Sequence, residues 1–152
     1  MKLFYAMLLL ATPAAALAAN DVALKSTVLQ EKTVQVQGQA RTVLEAPKLV
    51  TPGDKLVFVL EYRNQGAKPA ADFVVTNPLP SAVAFERAES PGAVVSADGG
   101  KSFGELARLT VANPDGTRRP ATATDVTHIR WTLQTAIPAG QGGKLSFRGR
   151  VR

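Results

Sequence analysis

Hydrophobic and polar residues alternate with a period of two along much of the chain. In residues 56–62 one face carries Leu56, Phe58, Leu60 and Tyr62. In 128–134, Ile129, Trp131 and Leu133 alternate with polar neighbours, and in 144–152, Leu145, Phe147 and Val151 oppose Ser146, Arg148, Arg150 and Arg152. Strict alternation places one face of a strand on a core and the other in water. Residues 21–29, 32–36, 71–76, 82–88 and 105–111 are further strand candidates. Turn signals separate these runs at short spacing: Gln37-Gly38, Thr51-Pro52-Gly53-Asp54, Asn64-Gln65-Gly66, Asn77-Pro78, Ser90-Pro91-Gly92, Asp98-Gly99-Gly100, Asn113-Pro114-Asp115-Gly116 and Pro138-Ala139-Gly140. Proline presets φ and glycine accepts positive φ, so each cluster has a mechanical reason to reverse the chain. After residue 20 no long stretch free of glycine and proline carries a helical period. The pattern predicts an all-β chain built as an antiparallel β-sandwich.

The first residues follow a different pattern. Met1-Lys2 is a short positive start, residues 3–10 form an almost unbroken apolar run, and 11–19 are rich in alanine. That order is the layout of a secretory signal peptide. Ala14-Ala15-Ala16 and Ala16-Leu17-Ala18 both fit an A-x-A cleavage site, and polar sequence at Asn20 and Asp21 favours cutting after Ala18. A membrane span needs about 20 consecutive apolar residues, and Pro13 interrupts this stretch early. The expected organisation is a signal peptide over 1–18 and one domain over 19–152, with no transmembrane span after cleavage and a periplasmic or secreted address.

Composition narrows the chemistry. The chain has no cysteine, which removes disulfides, thiolate metal sites, cysteine nucleophiles and a lipid-modified cysteine together. Basic residues outnumber acidic ones, 18 to 12, and the excess is local. From Arg118 onward seven basic residues stand against a single acid, Asp125, while the preceding sequence nearly cancels. A local excess points to a surface patch.

The stretch Thr51-Pro52-Gly53-Asp54, through Asn64-Gln65-Gly66, to Ala71-Asp72-Phe73-Val74-Val75-Thr76-Asn77-Pro78-Leu79-Pro80 resembles the conserved repeat domain of bacterial surface and exported proteins, domain of unknown function 11. Asn77 stands at the family's usual acidic position. Ile129-Arg130-Trp131, Ile137-Pro138-Ala139-Gly140 and Gly143-Lys144-Leu145-Ser146-Phe147 resemble its closing strands. The resemblance covers about residues 48–152. It implies an immunoglobulin-like sandwich with a structural or adhesive role in the cell envelope and no enzymatic activity.

Candidate chemistry is sparse. Ser96-Ala97-Asp98-Gly99-Gly100-Lys101-Ser102-Phe103 fits the Asp-box hairpin, in which the aspartate accepts hydrogen bonds from turn amides above an aromatic residue. His128 is the only histidine, with Asp125 and Ser146 as its conceivable partners in a nucleophilic site. The carboxylates are scattered singly, without the pairing of general acid–base catalysis. Asp98 and the loop Asn113-Pro114-Asp115-Gly116 offer too few acidic oxygens for calcium. Trp131 lies on an apolar strand face, as a core tryptophan does. The sharpest feature is the row Lys144, Arg148, Arg150 and Arg152 on one face of the last strand. It reads either as charge guarding a sheet edge or as a site for an anionic partner, since arginine forks match carboxylate and phosphate. The row lacks the interleaved aromatics of nucleic-acid binders, and an export signal leads away from cytoplasmic nucleic acid. The expectation is an exported non-enzymatic binding or structural module of the cell envelope that engages a protein or an envelope component. The alternative is a binder of an anionic surface glycan or lipid through that basic face. Neither catalytic residues nor a cofactor nor a metal is expected.

Overall fold

The computed structural model describes residues 21–152, so the expected signal peptide over 1–18 lies outside the described residues. The strands are β1 (Val22–Val36), β2 (Gln39–Glu45), β3 (Lys55–Asn64), β4 (Val74–Pro78), β5 (Val83–Ala88), β6 (Ala93–Ser96), β7 (Thr110–Ala112), β8 (Arg118–Pro120), β9 (His128–Thr132) and β10 (Gly142–Val151). Among the described residues there is no α-helix; two single turns of 3-10 helix occur, at Leu106–Arg108 and Ala123–Asp125. A five-stranded sheet in the order β2-β1-β3-β10-β5 packs on a three-stranded sheet, β4-β9-β6, and β7 and β8 form a separate small hairpin. All pairings are antiparallel. The all-β sandwich expected from the alternation is therefore observed.

Alternation explains the core. Leu56, Phe58 and Leu60 of β3, Leu145 and Phe147 of β10, and Phe85 of β5 point inward from the larger sheet; Val75, Ile129 and Trp131 point back from the smaller one. Phe58 and Phe147 sit on adjacent strands in direct register and stack with ring centroids 4.5 Å apart. Trp131 is 1% exposed, 6.2 Å from the Phe147 ring, and its indole N–H donates to the Ser90 carbonyl at 3.3 Å. The expected core tryptophan is thus held by packing on one side and a hydrogen bond at its polar edge.

Several expectations need correction. Residues 21–29 and 32–36 are one 15-residue strand, β1, because the Gln30-Glu31 step continues the extended backbone. β2 and β6 escaped notice: β2 buries almost nothing, and β6 is four residues of unalternated Ala-Val-Val-Ser. Asn77-Pro78 ends β4 and is not a turn; β4 is a sheet edge, where proline's missing N–H costs no ladder bond. The 105–111 candidate opens with a 3-10 turn and supplies only the short β7. Most consequentially, β10 is an interior strand, paired with β3 on one side and β5 on the other. The edge-guarding reading of its arginines therefore fails.

The Gln37-Gly38 turn is where backbone chemistry matters most. Both residues have positive φ, 52° and 77°, the requirement of a two-residue type I′ hairpin loop whose twist matches its strands. It closes β1 onto β2, and since β3 pairs only with β1 up to Glu31, the remaining β1–β2 pairing runs on as a two-stranded ribbon.

Candidate interaction edge

Lys144, Arg148 and Arg150 lie together on the outer face of the five-stranded sheet, opposite acids from other strands, and Arg152 follows just beyond the end of β10. Lys144 pairs with Glu61 at 2.7 Å and Arg150 with Glu86 at 2.8 Å. Arg148 bridges Glu31 and Glu89, which extend the chain of charges to Lys55 and Arg87. Glu31 is two strands away, so the Arg148 side chain crosses β3 above Val57, its register partner; Val57 is only 5% exposed as a result. The hydrogen bond from Arg148 is the main cause holding the Glu89 carboxyl below its ordinary range, and the same bond raises the Arg148 guanidinium. Arg152 donates to the carbonyls of Val83 and Thr124. Three of the four cations are thus matched by acids within the chain, and the fourth is bound to backbone.

The remaining candidates are occupied locally. Asp98 accepts from the Ser96 and Ser102 hydroxyls, both at 2.6 Å, and from the amides of Lys101 and Ser102 at 3.0 Å. Ser102, through its hydroxyl first and its amide second, holds the Asp98 carboxyl well below the usual range. Asp115 is similarly bound by the Thr117 hydroxyl and amide. Both carboxylates work as turn clamps. Phe103, the aromatic of the Asp box, lies under the Arg130 guanidinium at 3.6 Å. Asp125 is gripped by both terminal nitrogens of Arg119 at 2.7 Å and caps its own turn through Thr122. Ser146 lies on the outer face of the other sheet, so histidine, serine and aspartate are not brought together. The Thr127 hydroxyl donates to the Ser96 carbonyl and accepts from the Gly99 amide. The same hydroxyl shares a hydrogen bond with His128 Nδ1 at 3.1 Å.

The feature that sequence reading missed lies in the first half of β1. Asn64 accepts at its carbonyl from the Gly140 amide and donates its own amide to the Gln141 carbonyl, both on the β10 side. Backbone groups alternate in direction along a strand, so Arg63, Glu61, Val59 and Val57 face β1, where Ala23, Lys25, Thr27 and Leu29 oppose them. Val22, Leu24, Ser26 and Val28 consequently direct their N–H and C=O groups the other way. β2 covers that side only from Gln30 onward, and no loop among the described residues bonds to these groups. Residues 22–29 form an open notch in the sheet, about 26 Å long at the usual strand rise.

The other edges of the two main sheets are guarded. β2 places Arg41 on the face continuous with the core, β4 carries Pro78, and β6 is bridged by Gly104. β5 faces a register shift at Arg148/Gly149, and the Ala123–Asp125 turn packs against it. Proline, inward charge, bulges and edge lysines are the devices that discourage strand pairing. The 22–29 notch has only one of them, the outer-face Lys25; its inner-face residues are Leu24, Ser26 and Val28, with Leu24 47% exposed beside Tyr62. Its outer face carries Ala23, Lys25 and Thr27, and borders a depression of about 650 Å³ floored by the small residues Ala23 and Gly142. Around it stand Lys25, Arg63 and Lys144 with one acid, Glu61. Among the described residues Lys25 and Arg63 make no ion pair.

No family model, curated protein or solved structure matches the chain. No helix among the described residues is long and apolar enough to cross a membrane.

Proposed function

We propose that the chain is an exported, non-enzymatic interaction module of immunoglobulin-like type that engages another protein of the cell envelope through its open sheet edge. The observation that carries this reading is the open notch over residues 22–29, with outward-facing backbone groups at four positions and Leu24 half in solvent. The projecting β1–β2 ribbon supports it, since Val36 and Leu44 expose further apolar surface on the same strand pair. The leader-like first 18 residues and the resemblance of 48–152 to the conserved repeat domain agree with it. The local commitments of His128, Asp98 and Asp125 support a binding role over catalysis. The basic-face alternative through Lys144, Arg148, Arg150 and Arg152 receives less support, because those side chains are engaged within the domain.

Site-specific photocrosslinking tests the reading. A photoreactive residue at Leu24 is expected to give a discrete protein adduct in intact cells, whereas one at Val74, exposed on the other sheet, gives none. Adducts confined to lipid or polysaccharide, or equal yields at both positions, would overturn it.

A further inference from the structure

Resting on the reading just given, we infer that the notch along residues 22–29 accepts an extended, alternately apolar and acidic segment of a partner protein as an added β-strand. Strand addition takes its affinity from main-chain hydrogen bonds and its selectivity from alternate side chains. Both elements are present. Val22, Leu24, Ser26 and Val28 offer N–H and C=O groups at every second residue along one line. The incoming strand would lie in line with β2, which already occupies the next stretch of the same edge.

The two faces of such a strand would meet different chemistry. On the inner face its residues lie alongside Leu24 and Val28, near the Tyr62 and Phe73 rings, which are 6.3 Å apart. Apolar side chains there extend the core face. On the outer face they lie alongside Lys25, with Arg63 and Lys144 beyond it around the depression, against the single acid Glu61. Carboxylates fit that face; lysines do not.

Charge also argues against a second copy of this chain as the occupant. An antiparallel pairing of two such edges that overlaps all of residues 22–28 is centred on Lys25. It sets Lys25 directly opposite Lys25 of the second copy, and like charges in that position destabilise a strand pair. An acidic partner turns the same position into an attraction.

The test uses the processed protein as it accumulates in its host and three synthetic peptides of a length matching the notch: valine alternating with glutamate, valine alternating with lysine, and a scrambled glutamate peptide. The glutamate peptide is expected to bind and to slow amide exchange at Leu24, Ser26 and Val28. Lys25 and Thr27 amides, already bonded to β3, should change little. Ser26→Pro removes one outward N–H without touching a β1–β3 bond, because proline is tolerated where the N–H faces away from the ladder. It should weaken binding at least tenfold while the melting temperature is retained. Should Ser26→Pro lower the melting temperature, Lys25→Glu carries the test, with an expected three- to tenfold loss for the glutamate peptide and a gain for the lysine peptide. Equal binding of all three peptides, or protection elsewhere than residues 22–28, would overturn the inference. So would a sedimentation dimer dissolved by Ser26→Pro, which would make a second copy the occupant. If no peptide binds while Leu24 still crosslinks to a protein, added-strand recognition fails and the interaction-module reading survives; loss of both removes both.

Discussion

Asn64 gives the sharpest quantitative test of how this sandwich is held together. It ends β3, is 1% exposed, and uses its whole amide: Nδ2 donates to the carbonyls of Lys68 at 2.7 Å and Ile137 at 2.8 Å, while Oδ1 accepts from the Gly66 amide at 2.9 Å. Asn64→Ala removes all three bonds. The Ile137 carbonyl keeps the Ala70 amide as a donor, but the Gly66 amide and the Lys68 carbonyl lose their side-chain partner. At about 1 kcal/mol for each hydrogen bond, the loss is about 3 kcal/mol. For a domain of this size that corresponds to a fall in melting temperature of about 10–15 °C. Asn64→Asp has nearly the same shape but replaces the donors by an oxygen that faces two carbonyls. The buried carboxyl will resist ionisation, so its folded pKa rises above the unfolded value of about 3.9. A group of this kind is best tolerated below its unfolded pKa and becomes more destabilising as pH rises toward its folded pKa. Urea unfolding of both variants from about pH 3.5 to 7 checks this: Asn64→Asp should lose ground steadily against Asn64→Ala as pH rises. A pH-independent gap between the two, or an alanine variant within about 0.5 kcal/mol of the parent, would refute the account.

Three further outcomes are expected. At Gly149, opposite the β5 irregularity, an added Cβ would lie 2.5 Å from Val83 Cγ1 and 3.0 Å from the Ala84 carbonyl, so Gly149→Ala should cost about 1–3 kcal/mol in thermal unfolding, and Val83→Ala should recover part of it. Asp98 titrates below its ordinary range because Ser102 and Ser96 donate to its ionised form; its stabilisation is therefore complete above the unfolded pKa of about 3.9 and is lost as pH falls. The acid limb of the parent's stability profile should accordingly be steeper than that of Asp98→Asn, as followed by tryptophan fluorescence. Gln37 has φ of 52° at the first position of the type I′ turn, where asparagine is preferred; Gln37→Asn should stabilise the ribbon by about 0.5 kcal/mol, read as roughly twofold slower amide exchange in β1 and β2 beyond Glu31.

The fold was legible where side-chain alternation coincided with burial on one face. β3, β9 and β10 were found from that pattern, and the turn clusters around Gly38, Gly53, Gly92, Gly100, Gly116 and Gly140 all hold glycines at positive φ. Legibility stopped where burial stopped. β2 lies mostly in solvent, so no core imposes a period on Gln39–Glu45, and its existence depends on the turn before it and on β1 beside it. Asn64-Gln65-Gly66 was visible as a turn, but its main contribution, a buried amide tying three backbone segments, needs the Lys68 and Ile137 carbonyls to be known. The open edge could not be read at all. Residues 22–29 look like any other strand, and only the register shows that β2 begins to cover β1 at Gln30.

The distribution of charge illustrates the same difference between neighbourhood in sequence and neighbourhood in a sheet. Counted along the chain, the excess of positive charge belongs to residues after 118, and the first part is nearly balanced. Folding changes that assignment on the outer face of the larger sheet. β10 is inserted between β3 and β5, and acids from the first part, Glu31, Glu61, Glu86 and Glu89, are spent on Lys144, Arg148 and Arg150. The cations without an acidic partner among the described residues then lie in both parts: Arg118, Arg130 and Arg152 are held by hydroxyls or carbonyls, and Lys25 and Arg63 of the apparently neutral part flank the open edge. A net charge carries little information about a binding face until strand order decides which charges meet. On the outer face of the larger sheet, strand order ties up Lys144, Arg148 and Arg150 of β10 and leaves Lys25 and Arg63 beside the open edge. That is why the interaction proposed for this chain is sought along β1 and not on the arginines of β10.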